Sequence, residues 1–185
     1  AYYGLLLSHA SDRNERNLLP CDSLLNLAID YYRKGFNKGR SLFYKARLLT
    51  AMGMEDEAMG YYFGSLKEFG HTPREIRFKG MVYEDLRNIY FDQAIYKEAL
   101  EKYTTALKYY SIINDKKAMI YASSMASSVC LVDSDNEKSH HFLNMEMQLA
   151  KDINDSCYIS NTLQHASVFY ESTDKPDSAL YYAKK

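Results

Sequence analysis

The sequence predicts an all-α fold, a solenoid of about five antiparallel helical hairpins with repeats of about 40 residues. Three observations predict it. Small residues recur at Ala58, Ala99, Ser139 and Ala179, at intervals of 41, 40 and 40. Only 8 Gly and 3 Pro occur among 185 residues, too few for a turn-rich sheet protein. Hydrophobic residues make up 46% of the chain, enough to bury a core and too many for disorder.

The clearest copy of the repeat is Leu86, Tyr90, Ala99, Tyr103 and Ala106. Steps of 3 and 4 keep residues on one helix face, and the step of 9 crosses a turn. Ala must be small where two helices touch closely, and Tyr fills the space beside it. The copy before reads Ala46, Leu49, Ala58, Tyr62 and Ser65. The copy after reads Ser127, Cys130, Ser139, Leu143 and Glu146, with Glu146 where a small residue is usual. A fourth offers Leu163, Ser167, Tyr170, Ala179 and Ala183. A partial hairpin precedes them, with Leu24 as the counterpart of Ala179.

Ten helices are expected, over about 1–16, 22–35, 39–52, 55–69, 73–92, 96–113, 116–132, 136–152, 155–172 and 176–185. Thr72, Pro73 and Glu75 read as a capping box with Pro at the first helical position. Asn114-Asp115 and Asn154-Asp155 repeat one N-cap signal, and Asp174 with Pro176 starts the last helix. The chain reads as one domain, 1–185, with hairpins of about 1–36, 39–70, 73–113, 116–152 and 155–185, the last incomplete. Paired tyrosines recur at Tyr31-Tyr32, Tyr61-Tyr62, Tyr109-Tyr110 and Tyr181-Tyr182. One ring of each pair is expected to pack and the other to reach the solvent edge.

Several functions are read out by composition. With 23 basic and 24 acidic residues and no basic stripe, the footprint of a nucleic-acid binder is missing. Cys21, Cys130 and Cys157 lack the spacing of a zinc or redox motif, and His140 and His141 are adjacent, so they point to different sides of a helix. The longest uncharged run, Ala118 to Val132, is short of the roughly 20 residues of a spanning helix, so no membrane insertion is expected of these residues. No glycine-rich phosphate loop and no nucleophile elbow occurs. The chain is therefore expected to be no enzyme and to need no metal or cofactor. It opens on Ala1, Tyr2 and Tyr3 without a visible signal peptide and is read as a fragment or mature form.

The five-point pattern resembles the tetratricopeptide repeat (TPR), whose usual length is about 34 residues, so the hairpins here are longer. The resemblance covers nearly the whole chain. It implies a right-handed superhelix whose first helices line a concave groove for a protein or peptide. By register, the groove residues would be Phe43, Arg47, Met81, Glu84, Asp85, Asn88, Tyr121, Ser124, Met125 and Gln164. Met and aromatic side chains give adaptable contact, and the polar ones give orientation. Chaperone-binding members clamp a peptide carboxylate with Lys and Asn. Here those places hold Phe43 and Arg47, then Glu84 and Asn88, so the clamp is absent. Glu84 and Asp85 would also repel an acidic tail.

The stretches Tyr2-Tyr3-Gly4-Leu5-Leu6-Leu7, Asp22-Ser23-Leu24-Leu25 and Ala28-Ile29-Asp30-Tyr31-Tyr32 are similar to the start of TPR sensor regions in Bacteroidetes transcription regulators. This narrower resemblance implies an extracytoplasmic, periplasmic sensing part, anchored to the membrane through segments outside these residues. A cytoplasmic placement is the alternative. The expected function is a non-catalytic scaffold for a protein or peptide, the sensor or adaptor part of a signalling or transcription-regulating protein. A structural self-association module and an accessory domain of a larger enzyme are the alternatives. The short last helix leaves Leu180, Tyr181 and Ala183 without a covering helix, so continuation of the chain or self-association through that open end is expected.

Overall fold

The computed structural model describes residues 1–13 and 21–185. Among the described residues lie ten α-helices and no strand. They are α1 (Tyr2–Arg13), α2 (Asp22–Tyr31), α3 (Phe36–Ala51), α4 (Glu55–Glu68), α5 (Pro73–Asp92), α6 (Tyr96–Ile112), α7 (Lys116–Val132), α8 (Asn136–Ile153), α9 (Ser156–Ser172) and α10 (Pro176–Ala183). The expected run of α1 to residue 16 lies partly outside the described residues. The α2–α3 connection departs from expectation, since α2 stops at Tyr31 and α3 starts at Phe36. The reason is tertiary. Tyr32 is extended, the Gly35 N–H donates to Glu68 Oε2 at 2.7 Å, and Lys38 Nζ donates to the Ile29 carbonyl at 2.6 Å.

The chain forms two compact units, Ala1–Ile89 and Tyr90–Lys185. In the first, α1 packs on α2 and α3, α2 on α3, and α3 on α4. Its core gathers Leu5, Leu25, Phe43, Tyr44, Tyr62, Phe69, Phe78, Val82 and Leu86. The repeat positions Ala46, Leu49, Ala58, Tyr62 and Ser65 are all buried. Where α1 meets α2, the small residue sits on the other helix: a Cβ on Gly4 would lie 2.7 Å from Leu24 Cβ. That explains why large Leu24 can stand at the place held elsewhere by Ala.

In the second unit α6 packs on α7, α7 on α8, α8 on α9, and α9 on α10. Ala99, Tyr103 and Ala106 are fully buried, as are Ser127, Cys130, Ser139, Leu143 and Glu146 to within 2%. Ser127 and Ser139 hold the α7–α8 crossing reciprocally: Ser127 Oγ donates to the Ser139 carbonyl at 2.9 Å, and Ser139 Oγ to the Ser127 carbonyl at 2.8 Å. Ser167 repeats this, donating to the Ala179 carbonyl at 3.0 Å. Burial thins in the fourth copy, with Ala179 half-buried and Ala183 exposed. The physical reason is that α10 buries no residue of its own and packs on α9.

One turn geometry recurs. Gly53, Ala94, Asn114, Ser134, Asn154 and Asp174 take left-handed backbone, with φ between 52° and 74°. In most of these turns the next N–H reaches a carbonyl five residues back, as in Met54 to Leu49, Ile95 to Tyr90, Asp115 to Tyr110 and Asp135 to Cys130. Helix starts are capped next: Asp115, Asp135 and Asp155 accept from the N–H groups of Ala118, Lys138 and Cys157. The expected capping box is present. The Thr72 N–H donates to Glu75 Oε2 at 3.1 Å and the Glu75 N–H to Thr72 Oγ1 at 3.4 Å. The Thr72 hydroxyl, which also donates to this carboxylate, holds Glu75 below the usual carboxylate range. Tyr62 and Tyr110 are buried while their neighbours Tyr61 and Tyr109 are half-buried. Tyr31 and Tyr181 stand in solvent beside half-buried partners. Cys21 and Cys130 are buried free thiols, and burial pushes Cys130 up to about 11. Among the described residues no helix is long and apolar enough to cross a membrane.

Candidate functional site

In the first unit, the first helices α1, α3 and α5 enclose a cleft of about 550 Å³ lined by His9, Tyr44, Arg47, Arg74, Arg77, Phe78 and Met81. Of these lining residues, Arg47 is fixed by an ion pair with buried Asp85. Arg47 Nε donates to Asp85 Oδ2 at 2.6 Å and Nη2 to Oδ1 at 3.0 Å, a two-pronged pairing that fixes the guanidinium plane. The same guanidinium lies 4.6 Å from the Phe43 ring centroid. Tyr62 Oη donates to Asp85 Oδ2 at 3.2 Å. Burial, and then the Asp85 carboxylate beside it, hold the Tyr62 hydroxyl well above its ordinary value, so it stays a donor. At the far wall His9 Nδ1 and the Tyr44 hydroxyl share a hydrogen bond.

In the second unit, α7, α8 and α9 bring together a polar cluster. Buried Glu146 accepts from Thr162 Oγ1 at 3.0 Å and pairs with His165 Nδ1 at 2.6 Å. Ser124 Oγ lies 3.3 Å from His165 Nδ1, and Ser128 Oγ lies 3.4 Å from Nε2. Ser128, His165 and Glu146 thus share the order of a nucleophile, base and orienting acid. Acyl transfer also needs oxyanion donors. Ser128 sits mid-helix, where backbone N–H groups are spent on carbonyls four residues back, and its own hydroxyl donates to the Ser124 carbonyl at 3.1 Å. The arrangement satisfies a buried carboxylate and positions His165 at the surface of α9.

Solved structures can now be compared. BtubC from P. vanneervenii superposes with a TM-score of 0.78 at 14% identity, covering 96% of this chain and 74% of that one. A Podosopora anserina protein of nearly identical TPR-like repeats, assigned as a kinesin light chain, gives 0.76 at 11% identity over 99% and 91%. The chain has a TPR-like repeat fold. A Rap protein solved in complex with competence and sporulation factor gives 0.66 at 14% identity, covering 99% of this chain and 59% of that one. No family model and no curated protein matches the chain.

In TPR terms, the cleft of the first unit lies on first helices, and so do Ser124, Ser128 and His165 in the second. Of the groove residues expected from sequence, Arg47 and Met81 line the cleft. Two need correction. Phe43 is fully buried, edge-on to Phe78 at 5.4 Å and Tyr62 at 6.2 Å, because it fills the core between α3, α4 and α5. Asp85 is also buried, and its charge is engaged by Arg47 and Tyr62, so it is no free repulsive acid. Glu84 is half-buried and Asn88 exposed. In the second unit Tyr121 is exposed, Ser124 and Met125 are half-buried, and exposed Gln164 lines a separate cleft of about 510 Å³ beside α10.

Sequence reasoning missed Arg74 and Arg77, although they stand three apart on α5 and continue into Phe78 and Met81 on one face. It also missed His165. Glu146 did stand out as a carboxylate at a small-residue place, but only as a departure from the repeat, and its partners Thr162 and His165 were not foreseen.

Proposed function

We propose that this chain is a non-catalytic scaffold that binds a protein or peptide along its first helices, as the sensor or adaptor part of a signalling or transcription-regulating protein. The observation that carries the reading is the cleft of about 550 Å³ on α1, α3 and α5, whose walls combine Phe78 and Met81 with guanidinium groups. That volume falls in the range of ligand pockets, roughly 300–1,000 Å³. The TPR-like fold, and a structural neighbour solved with competence and sporulation factor, support it. The sensor role, and with it an extracytoplasmic placement, rests on the opening stretches Tyr2–Leu7 and Asp22–Tyr32. The test is selection of peptides from a random displayed library on the 185-residue chain, followed by affinity measurement. Selected peptides should lose about tenfold or more on Met81→Asp, the effect of placing an unpaired charge on the apolar wall. Failure to recover any peptide, or full binding by M81D, would sink the reading.

A second reading is self-association through α10, favoured by Leu180 and Tyr181, which are 53% and 54% exposed. Sedimentation tests it. A mass that stays monomeric across the concentration range rejects it.

A further inference from the structure

We infer that the second unit carries a separate site, between α8 and α9, for a free α-amino acid with an apolar side chain. Glu137 takes its ammonium, Lys175 its carboxylate, and the Tyr170 ring its side chain. This goes beyond the scaffold reading above and is independent of it.

The cleft holds about 360 Å³, within the range of small-molecule pockets. Its lining carries one acid, Glu137 in the first turn of α8, and one base, Lys175 at the N-cap of α10. Both are exposed, and among the described residues neither side chain forms an ion pair or a hydrogen bond. Opposite charges that line one cleft without meeting suit a guest that carries both signs. The surrounding charge selects further among guests. Asp135 is paired with Lys138 at 2.5 Å. Asp133, Glu171, Asp174 and Asp177 are exposed on the adjoining turns and helix ends and do not line the cleft. Acids therefore outnumber bases around it, which disfavours a bare anion and favours a guest with an ammonium group.

The rest of the lining is largely aromatic and is braced from behind. Tyr170 meets Phe169 edge-on at 5.2 Å and stacks on Tyr182 at 5.3 Å with 3° between the planes. His140 lies 5.6 Å from the Phe169 ring, and its Nε2 is 3.3 Å from Tyr170 Oη. Asn144 Nδ2 donates to His140 Nδ1 at 3.2 Å, so both ring nitrogens are engaged. Phe169 is buried and Tyr170 half-buried, so Tyr170 presents the apolar surface. A ring fixed in advance takes an apolar side chain at little ordering cost. Burial, and then Tyr182 beside it, hold the Tyr170 hydroxyl above its ordinary value, so it adds no charge. Lys175 Nζ lies 6.0 Å from the Tyr170 ring centroid, and its N–H donors are unspent among the described residues. The Thr173 hydroxyl already donates to the Phe169 and Tyr170 carbonyls, which leaves Lys175 as the strong donor for a carboxylate.

The test is titration calorimetry on the 185-residue chain with L-leucine and L-phenylalanine. The comparators are N-acetyl-L-leucine, which lacks the ammonium, L-leucinamide, which lacks the carboxylate, and glycine, which lacks the side chain. Leucine should bind about tenfold tighter than either blocked form, the effect of one lost charge-assisted hydrogen bond. Glu137→Gln should remove the preference over N-acetyl-leucine and keep the preference over leucinamide. Lys175→Gln should do the reverse. Both variants should keep the thermal melt of the wild type, since both side chains are exposed. Leucinamide binding as tightly as leucine would make this a cation site and overturn the inference, as would equal affinity for N-acetyl-leucine. Glycine binding as tightly as leucine and phenylalanine overturns the part given to Tyr170. Unchanged affinity in both variants puts the amino acid elsewhere, and no binding at about 10 mM removes the site altogether. None of these outcomes bears on peptide selection by the first unit, which is tested separately.

Discussion

In the first unit, Phe36, Phe43, Tyr44, Phe69 and Phe78 meet ring against ring at centroid distances of 5.3–6.5 Å. In the second, the comparable interior around α7 and α8 holds Ala122, Ser123, Ala126, Ser127 and Ser139, and its buried carboxylate Glu146 is met by Thr162 and His165. The two units follow one repeat pattern and meet its demands differently. Bulk from aromatic rings fills one. Close approach of small residues, locked by hydrogen bonds, closes the other. The lesson is that the repeat prescribes how near two helices stand, while side chains decide whether volume or hydrogen bonding holds them there.

The comparison can be broken most forcefully at Phe78. Phe78→Ala should cost about 3–5 kcal/mol in a urea melt, because several rings lose their shared neighbour and leave a cavity. A loss below about 1 kcal/mol would mean that the rings repack freely and that the first unit does not depend on aromatic bulk.

Next comes Glu146, where the second unit depends on polar matching. Glu146→Ala should cost about 1–3 kcal/mol by orphaning the buried Thr162 hydroxyl, and Glu146→Gln should cost less, since an amide oxygen can still accept. Equal stability of wild type and E146A would show that the carboxylate is tolerated and not used.

A finer test concerns Ser127 and Ser139. Either single change to Ala should cost about 1 kcal/mol, and the double change should cost less than the two together, because both partners leave at once. Strict additivity in the cycle would show that the reciprocal pair is not a unit.

The smallest effect separates the turns. The first unit uses Gly53 at the left-handed position and the second uses Ala94, Asn114, Ser134, Asn154 and Asp174. Ala94→Gly should stabilise by about 0.5 kcal/mol, while Gly53→Ala should destabilise by about 1 kcal/mol, from the left-handed penalty of an L side chain against the entropy of glycine. A loss of stability in A94G would reverse that balance.

The hairpin register was open to reading because its causes are local. Ala58, Ala99 and Ser139 are fully buried where the spacing put them, and the Thr72–Glu75 box and the capping aspartates stand where the helix signals placed them. A cap acts over three residues and a helix face repeats every three or four, so neighbours in sequence carry the information. The site was legible only in part. Arg47 and Met81 emerged from register, but the same register offered Phe43 and Asp85, because it assigns a helix face and says nothing of how deep that face is covered.

By itself, then, the sequence determined the ten helices of the described residues, their described ends to within a few residues, and the places where two helices must touch. All of these follow from short-range sterics and hydrogen bonding along one segment. Tertiary structure decided the chemistry of the cleft. His9 meets Tyr44 across 35 positions and Arg47 meets Asp85 across 38, separations at which no periodicity in the chain specifies a partner. It also decided that Phe43 is core, that Asp85 no longer repels, and that Glu146 is a buried acceptor. Burial and charge pairing belong to the packed assembly of helices, because a side chain's solvent and its counter-ion are both supplied by residues distant in sequence.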